Sequence, residues 1–160
     1  MAKSIVVYYS WAGHAKEMAQ ALASQTGADL AELRPALPYS KDYGQVVRRA
    51  KEEILQGTHP DLLPPLPDLK PYEQVYVGTP IWCGTMAPPL ASFLALQTWE
   101  GKRVFPFCTH GGGGKGRCEQ DVRALCAGAQ VAEMFSAREG DAAAALQALK
   151  AWEVASGREG

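Results

Sequence analysis

Residues 4–23 read SIVVYYSWAGHAKEMAQALA and decide the fold. Residues 4–9 are β-branched and aromatic, in a run short enough for a strand that is buried on both faces. From His14 the apolar residues recur with a helical period, and Gly27 stops that helix. A buried strand followed directly by an amphipathic helix is the repeating unit of a parallel sheet.

The same alternation continues along the chain. Further strands are predicted at 28–33, 74–77, 103–108 and 129–135. Further helices are predicted at 43–56, from 88 onward, at 119–127 and at 142–152. Five such units favour an α/β fold, a three-layer αβα sandwich around an open five-stranded parallel sheet. We expect a single domain over residues 1–160.

Composition narrows the class of protein. The chain has 160 residues, 47% apolar and 21% charged, as in globular domains. A formal net charge of −1 provides no field that would attract nucleic acid or an anionic membrane, so neither is expected as a partner. No apolar run approaches the roughly 20 residues of a membrane helix. Because no leader pattern precedes the first strand, we expect a cytoplasmic location.

The cysteines indicate packing rather than metal or dithiol chemistry. The four cysteines include no C-x-x-C pair, so we expect neither a zinc site nor a redox-active dithiol. Cys118 and Cys126 fall on one face of a predicted helix with Val122 and Leu125, which indicates buried thiols.

In a doubly wound sheet, ligands bind outside the carboxyl ends of the strands where strand order reverses. We therefore expect the site in the segments that follow strands one, three and four. The first segment combines a hydroxyl, a glycine and a helix N-terminus, which together favour a phosphate. An ordinary βα turn with a serine cap is the alternative. The candidate residues are Ser10, Trp11, Ala12, Gly13, His14 and Ala15.

The second segment places a tryptophan between a proline and a glycine, straight after a buried strand. A large aromatic residue in a loop often contacts a flat ligand, and Gly84 lets the backbone approach it closely. The alternative is that Trp82 folds back over the edge of the sheet. The candidates are Thr79, Pro80, Ile81, Trp82, Cys83 and Gly84.

The third segment is the glycine-rich run 109–116, which happens to match G-x-G-x-x-G. A dinucleotide fingerprint also needs an acidic residue about 20 positions on, and Glu133 is early and lies inside a predicted strand. We interpret the run as a flexible backbone lid over a planar ring, with a plain flexible loop as the alternative. The candidates are Thr109, His110, Gly111 and Gly112.

Three quoted segments, VVYYSWAGHA (6–15), YVGTPIWCGTMAPPL (76–90) and FPFCTHGGGG (105–114), together carry a resemblance. Over residues 4–154 the chain resembles the short-chain flavodoxin-like family. The resemblance implies strand order 2-1-3-4-5 and FMN as the cofactor. It implies that Ser10 and Gly13 contact the phosphate, and that Thr79, Pro80, Trp82, Gly84 and residues 109–112 contact the isoalloxazine ring.

One departure from the family pattern concerns the phosphate loop, which usually reads S/T-x-T/S-G-x-T. Here Ala12 and Ala15 replace two hydroxyl-bearing residues, and His14 occupies the fifth position. His14 could supply a donor, positive if a phosphate raises its pKa. FMN remains the expected ligand. Weak or lost FMN binding is the expected consequence of the two missing hydroxyls.

Three functions stay open at this point. The first is an FMN-binding redox protein that carries electrons to a partner protein. The second is an NAD(P)H-dependent FMN quinone reductase with a small quinone-like acceptor, and the third is a cofactor-free binding domain. Electron carriers of this family usually have a strongly negative net charge, which helps them dock on their partner proteins. The net charge of −1 is therefore an argument against the carrier function. We predict no catalytic base or nucleophile, and either a monomer or a homodimer.

Overall fold

The computed structural model describes residues 3–140 and 142–156. The strands are β1 Ser4–Tyr8, β2 Asp29–Glu32, β3 Gln74–Trp82, β4 Thr85–Met86, β5 Arg103–His110, β6 Gln130–Val131 and β7 Phe135–Arg138. The helices are α1 His14–Thr26, α2 Tyr43–Gln56, α3 Pro88–Leu96, α4 Cys118–Leu125 and α5 Ala142–Ala155. Within the described ranges, none of these helices has the length and apolar character needed to cross a membrane.

The sheet confirms the predicted topology. Its order is β2-β1-β3-β5-β6, with every neighbour on this path parallel. β5 is the predicted fourth strand, and β6 and β7 share the predicted fifth position, because both pair in parallel with β5. β4 is an addition that pairs antiparallel with the end of β3.

The predicted continuous strand over 129–135 is wrong in detail, because it is divided between β6 and β7. Val104 pairs with Val131, whereas Phe107 pairs with Phe135, so one extra residue lies between the two pairings. Val104 accepts a hydrogen bond from Ala132, so alternate residues of β5 face this edge. Pro106 is the next such residue, and it has no N–H to donate to the ladder.

The third strand is longer than predicted, since it runs through Thr79 and Pro80 to Trp82. Gly78, the first residue after the predicted strand, is paired with Phe107 inside the sheet. A Cβ at Gly78 would lie 2.2 Å from Phe107 Cζ. Glycine is therefore present here to admit the phenylalanine ring rather than to end the strand.

Two apolar layers cover the sheet, as the three-layer prediction requires. One face packs against α2, α3 and α4, and the other against α1 and α5. Leu90 and Phe93 of α3 are fully buried on the first face, and Leu22 and Leu149 on the second. Each such side chain contributes about 1.5–3 kcal/mol through its burial. The packing fixes the sheet and therefore the ends of β1, β3 and β5.

Candidate functional site

The segments that follow β1, β3 and β5 meet at one cleft beyond the carboxyl ends of these strands. The cleft has a volume of about 110 Å³. Ten of the sequence-predicted residues line it: Ser10, Trp11, Ala12, His14, Ala15, Pro80, Ile81, Trp82, Thr109 and Gly111. The remaining candidates lie next to it in the chain: Gly13, Thr79, Cys83, Gly84, His110 and Gly112.

The first segment forms an uncapped helix start. Gly13 has φ 99° and donates its N–H to Ser10 Oγ over 3.1 Å, which closes the turn into α1. Within the part of the chain that the structure describes, no side chain caps the N-terminus of α1. The first N–H groups of a helix have no partner inside it. Those of His14, Ala15 and Lys16 are therefore available to an anion, which the helix dipole also favours.

Trp11 fixes this segment against α2. Its indole Nε1–H donates to the Ser40 carbonyl over 2.9 Å, and its ring centroid lies 6.2 Å from that of Tyr43. The indole is held at both its polar and its apolar parts. It therefore forms a fixed wall of the cleft.

The second segment ends in a tight hairpin. Cys83 and Gly84 have φ values of 54° and 80°, the positive values required at both central positions of a type I′ turn. Thr79 Oγ1 accepts the Ala87 N–H over 2.9 Å and donates to the Pro80 carbonyl over 2.8 Å. The Thr79 hydroxyl is thus used within the hairpin.

The prediction that Trp82 lies in a loop after the third strand is wrong. Trp82 is the last residue of β3 and only 8% exposed. Its ring packs edge-on against those of Tyr9, Trp11 and Tyr39, with centroid distances of 5.6, 6.4 and 5.0 Å. We call these four residues the aromatic cluster. Trp82 still lines the cleft, so a ligand meets it as part of a preorganised wall.

The back of the aromatic cluster is tied to α2. Tyr39 donates its hydroxyl to Glu53 Oε1 over 2.5 Å, and the Arg49 guanidinium lies 3.8 Å from the Tyr39 ring centroid. Burial and the hydrogen bond to Glu53 raise the pKa of Tyr39, and burial raises the pKa of Tyr9. Both phenols therefore stay neutral at physiological pH, and the wall they form carries no charge.

The third segment, which we interpreted as a flexible lid, makes hydrogen bonds within the loop and to the hairpin turn. His110 Nδ1 accepts the N–H groups of Gly112 and Gly114 over 3.0 and 3.1 Å. Farther along, Arg117 donates its N–H to the Gly84 carbonyl over 2.8 Å, which ties this loop to the hairpin turn. The His110 imidazole thus holds the loop at Gly112 and Gly114, and the Gly84 carbonyl holds it at Arg117.

Thr109 carries an unusual polar atom. It is 2% exposed and lines the cleft, yet its Oγ1 has no hydrogen-bond partner within the described residues. A buried hydroxyl without a partner costs about 1–3 kcal/mol, so each one calls for an explanation. A ligand that bonds to this hydroxyl inside the cleft provides one.

Two residues of the cleft escaped the sequence analysis, Tyr43 and Glu139. Glu139 directly follows β7, so the rule that sites follow the parallel strands could have found it. Tyr43 is the first residue of α2 and 65% exposed, and an exposed aromatic at a helix start was the available signal. Past His14, Thr109 and Glu139 lies a second cleft of about 170 Å³.

The four thiols divide as the sequence suggested. Cys118 and Cys126 are buried, which confirms them as packing residues, and Cys108 is buried as well. Burial raises the pKa of Cys108 to about 11 and that of Cys126 to about 12, so neither is a thiolate at neutral pH. Cys83, in the hairpin turn, is exposed.

Comparisons with known proteins agree with this geometry. A crystallised protein of Bacteroides eggerthii that is classed as a flavoprotein superposes with a TM-score of 0.82 at 23% identity, covering 97% of this chain and 98% of its own. A flavoprotein from Lactobacillus acidophilus in complex with FMN gives a TM-score of 0.75 at 23% identity, covering 96% and 99%. At these identities the structures establish the fold.

A curated relative adds a sequence match. An NAD(P)H dehydrogenase (quinone) from Azorhizobium caulinodans is 33% identical over 99 residues, which are 59% of this chain and 46% of that protein. The match thus spans less than half of the relative. The flavodoxin family model matches residues 3–153, nearly the whole chain. With the sheet order and the cleft in place, the chain belongs to the flavodoxin family.

Proposed function

We propose that the chain binds FMN non-covalently in this cleft and transfers electrons through it. The observation that carries the proposal is the convergence of three βα segments on one cleft with an uncapped helix N-terminus at one side and the unpartnered Thr109 hydroxyl at another. The first suits a phosphate and the second suits a polar atom of the ligand. Family membership and the FMN complex of the L. acidophilus neighbour support the same ligand.

The residues present fit FMN. The backbone N–H groups of His14, Ala15 and Lys16 would hold the phosphate, and they do not depend on the hydroxyls that Ala12 and Ala15 lack. Both clefts are small against the ~300–1,000 Å³ of typical ligand sites. A flavin would therefore fill both and keep part of its ring in solvent, where an electron donor or acceptor can reach it.

The flavin supplies the one- or two-electron chemistry when it is bound. The chain's own residues position it and exclude water from one side. Trp82 lines the cleft as part of an aromatic wall in which three other rings pack against it. Backbone N–H groups of the 111–116 loop other than those of Gly112 and Gly114, which His110 engages, would be available to polar atoms of the ring.

A quinone reductase is the second candidate, and two observations favour it. The A. caulinodans relative is an NAD(P)H dehydrogenase (quinone), and the net charge of −1 is small for a protein-docking carrier. The acceptor would then be a small quinone-like molecule rather than a redox protein. In either case we propose a cytoplasmic protein that acts as a monomer or a homodimer.

Steady-state kinetics separates the two candidates. The FMN-loaded protein is mixed with NADH or NADPH and a soluble benzoquinone, and the nicotinamide absorbance is followed. For a carrier we expect no oxidation above that of free FMN at the same concentration. Saturable oxidation of the nicotinamide that requires both the protein and the quinone would show that the protein is a reductase and not a carrier.

Thr109→Val provides a test in which stability and binding move in opposite directions. Valine has the same shape without the unpartnered hydroxyl, so the FMN-free protein should lose no stability and gain up to about 1 kcal/mol. FMN binding should weaken by about 1 kcal/mol, because a ligand hydrogen bond is lost. Urea unfolding and an FMN fluorescence titration measure the two effects.

Thr79→Val is the matched control, since the Thr79 hydroxyl bonds to Ala87 and Pro80. It should destabilise the FMN-free protein by about 1–3 kcal/mol, because it leaves a buried N–H unpaired. If Thr109→Val destabilises the free protein as much as Thr79→Val does, the Thr109 hydroxyl has a partner inside the protein. It would then not be available to bind a ligand.

A further inference from the structure

His110 is bonded in a way that restricts its protonation state. One ring nitrogen, Nδ1, accepts two backbone N–H groups from the same loop, those of Gly112 and Gly114. An imidazole nitrogen can accept only if it carries no proton. The bonds therefore require neutral His110 with its proton on Nε2. In the imidazolium, Nδ1 also carries a hydrogen and is a donor, so it could not accept either N–H group.

The loop that these bonds shape, residues 111–116, has few other means of holding its form. Gly112 and Gly114 have φ values of 132° and 78°. Glycine populates positive and negative φ about equally, so its own preference does not favour this backbone conformation over others. The loop contains five glycines among its six residues, so fixing its backbone costs more conformational entropy than in most loops. The two bonds to the His110 ring thus fix the part of the loop that is not bonded to Gly84.

We propose that His110 is a positioning residue whose Nδ1, in the Nε2–H tautomer, builds the 111–116 loop by accepting the Gly112 and Gly114 N–H groups. This inference concerns the free protein. Its consequence for the ligand rests on the proposed function: FMN meets a formed loop when the acceptor at residue 110 is present and a disordered loop when it is absent. Because His110 does not line the cleft, it acts on a ligand through the loop backbone.

Three variants separate the two ring nitrogens. In His110→Asn the amide Oδ1 stands close to the position of Nδ1, so the acceptor remains and cannot be protonated at mild pH. In His110→Gln the amide reaches the position of Nε2 and the acceptor for Gly112 and Gly114 is lost. His110→Ala removes both. Thermal unfolding followed by circular dichroism establishes that each variant is folded.

The first readout uses the FMN-free protein. We expect the hydrogen-exchange protection factors of the Gly112 and Gly114 amides in wild-type protein to exceed those in His110→Gln and His110→Ala by about tenfold or more. His110→Asn should keep the wild-type protection. Ring-nitrogen NMR shifts of wild-type His110 should show an unprotonated Nδ1. A protonated Nδ1, or equal protection in all four proteins, would overturn the inference.

The second readout is FMN affinity. Wild-type and His110→Asn should bind FMN equally within about threefold, with His110→Gln and His110→Ala weaker by about tenfold. If exchange follows the expected pattern and no protein binds FMN, the loop template stands and the proposed ligand fails.

Discussion

Replacing Gly116 with alanine should weaken FMN binding by tenfold or more, about 1.4 kcal/mol. Gly116 has φ 55°, and a Cβ there would lie 2.2 Å from the Gly84 carbonyl oxygen. That oxygen is backbone and already accepts the Arg117 N–H, so it cannot give way without moving the Cys83–Gly84 turn. The substitution therefore separates the second and third segments of the site.

Gly113→Ala is the matched control in the same loop. A Cβ at Gly113 meets nothing within 4 Å, and its φ lies outside the positive region. FMN dissociation constants of both variants, measured by flavin fluorescence, give the comparison. Equal affinities of Gly116→Ala and Gly113→Ala would show that the contact between the loop and the turn does not shape the site.

Gly78→Ala should destabilise the folded protein by about 1–3 kcal/mol or more, through overpacking. The Cβ would lie 2.2, 2.4 and 2.8 Å from three ring atoms of Phe107, which is fully buried. The clash lies inside the strand pair that positions Thr79 and Thr109, so FMN affinity should fall as well. Urea unfolding of the FMN-free protein measures the first effect.

Two further variants test the cause. Phe107→Leu in the Gly78→Ala background should recover part of the lost stability, because the smaller side chain frees the space in question. Gly44→Ala, within α2 and with no atom nearer than 3.9 Å to the added Cβ, should be neutral or stabilising by about 0.5–1 kcal/mol. No recovery in the double variant would mean that Gly78 is needed for another reason.

Much of the fold could be predicted because local signals and tertiary structure agree. The run over residues 4–9 is short, β-branched and aromatic, as in a strand covered on both faces, and Gly27 ends the following helix with φ 77°. The strand order followed from the family resemblance. By contrast, the division between β6 and β7 follows from Pro106, whose missing N–H matters only once its partner strand is known.

The site was predicted at the level of segments rather than contacts. Strand ends identified the three segments, and ten of their residues line the cleft. The surroundings of Trp82 could not be predicted, because its partners Tyr9 and Tyr39 come from other parts of the chain. The bonds from Gly112 and Gly114 to His110 depend on a loop conformation that a glycine run does not specify.

Paired titrations of FMN and riboflavin test the central claim most directly, because the two ligands differ only by the phosphate. Flavin fluorescence is followed as wild-type protein and Ser10→Ala are added. We expect saturable quenching of FMN by wild-type protein with one flavin per chain, and weaker binding of riboflavin. Ser10→Ala should weaken FMN by about tenfold, since a hydrogen bond to a charged group contributes about 1.5–3 kcal/mol, and should leave riboflavin unchanged. FMN that keeps its free fluorescence at saturating protein would contradict flavin binding, and equal shifts of both ligands in Ser10→Ala would contradict the phosphate site at the start of α1.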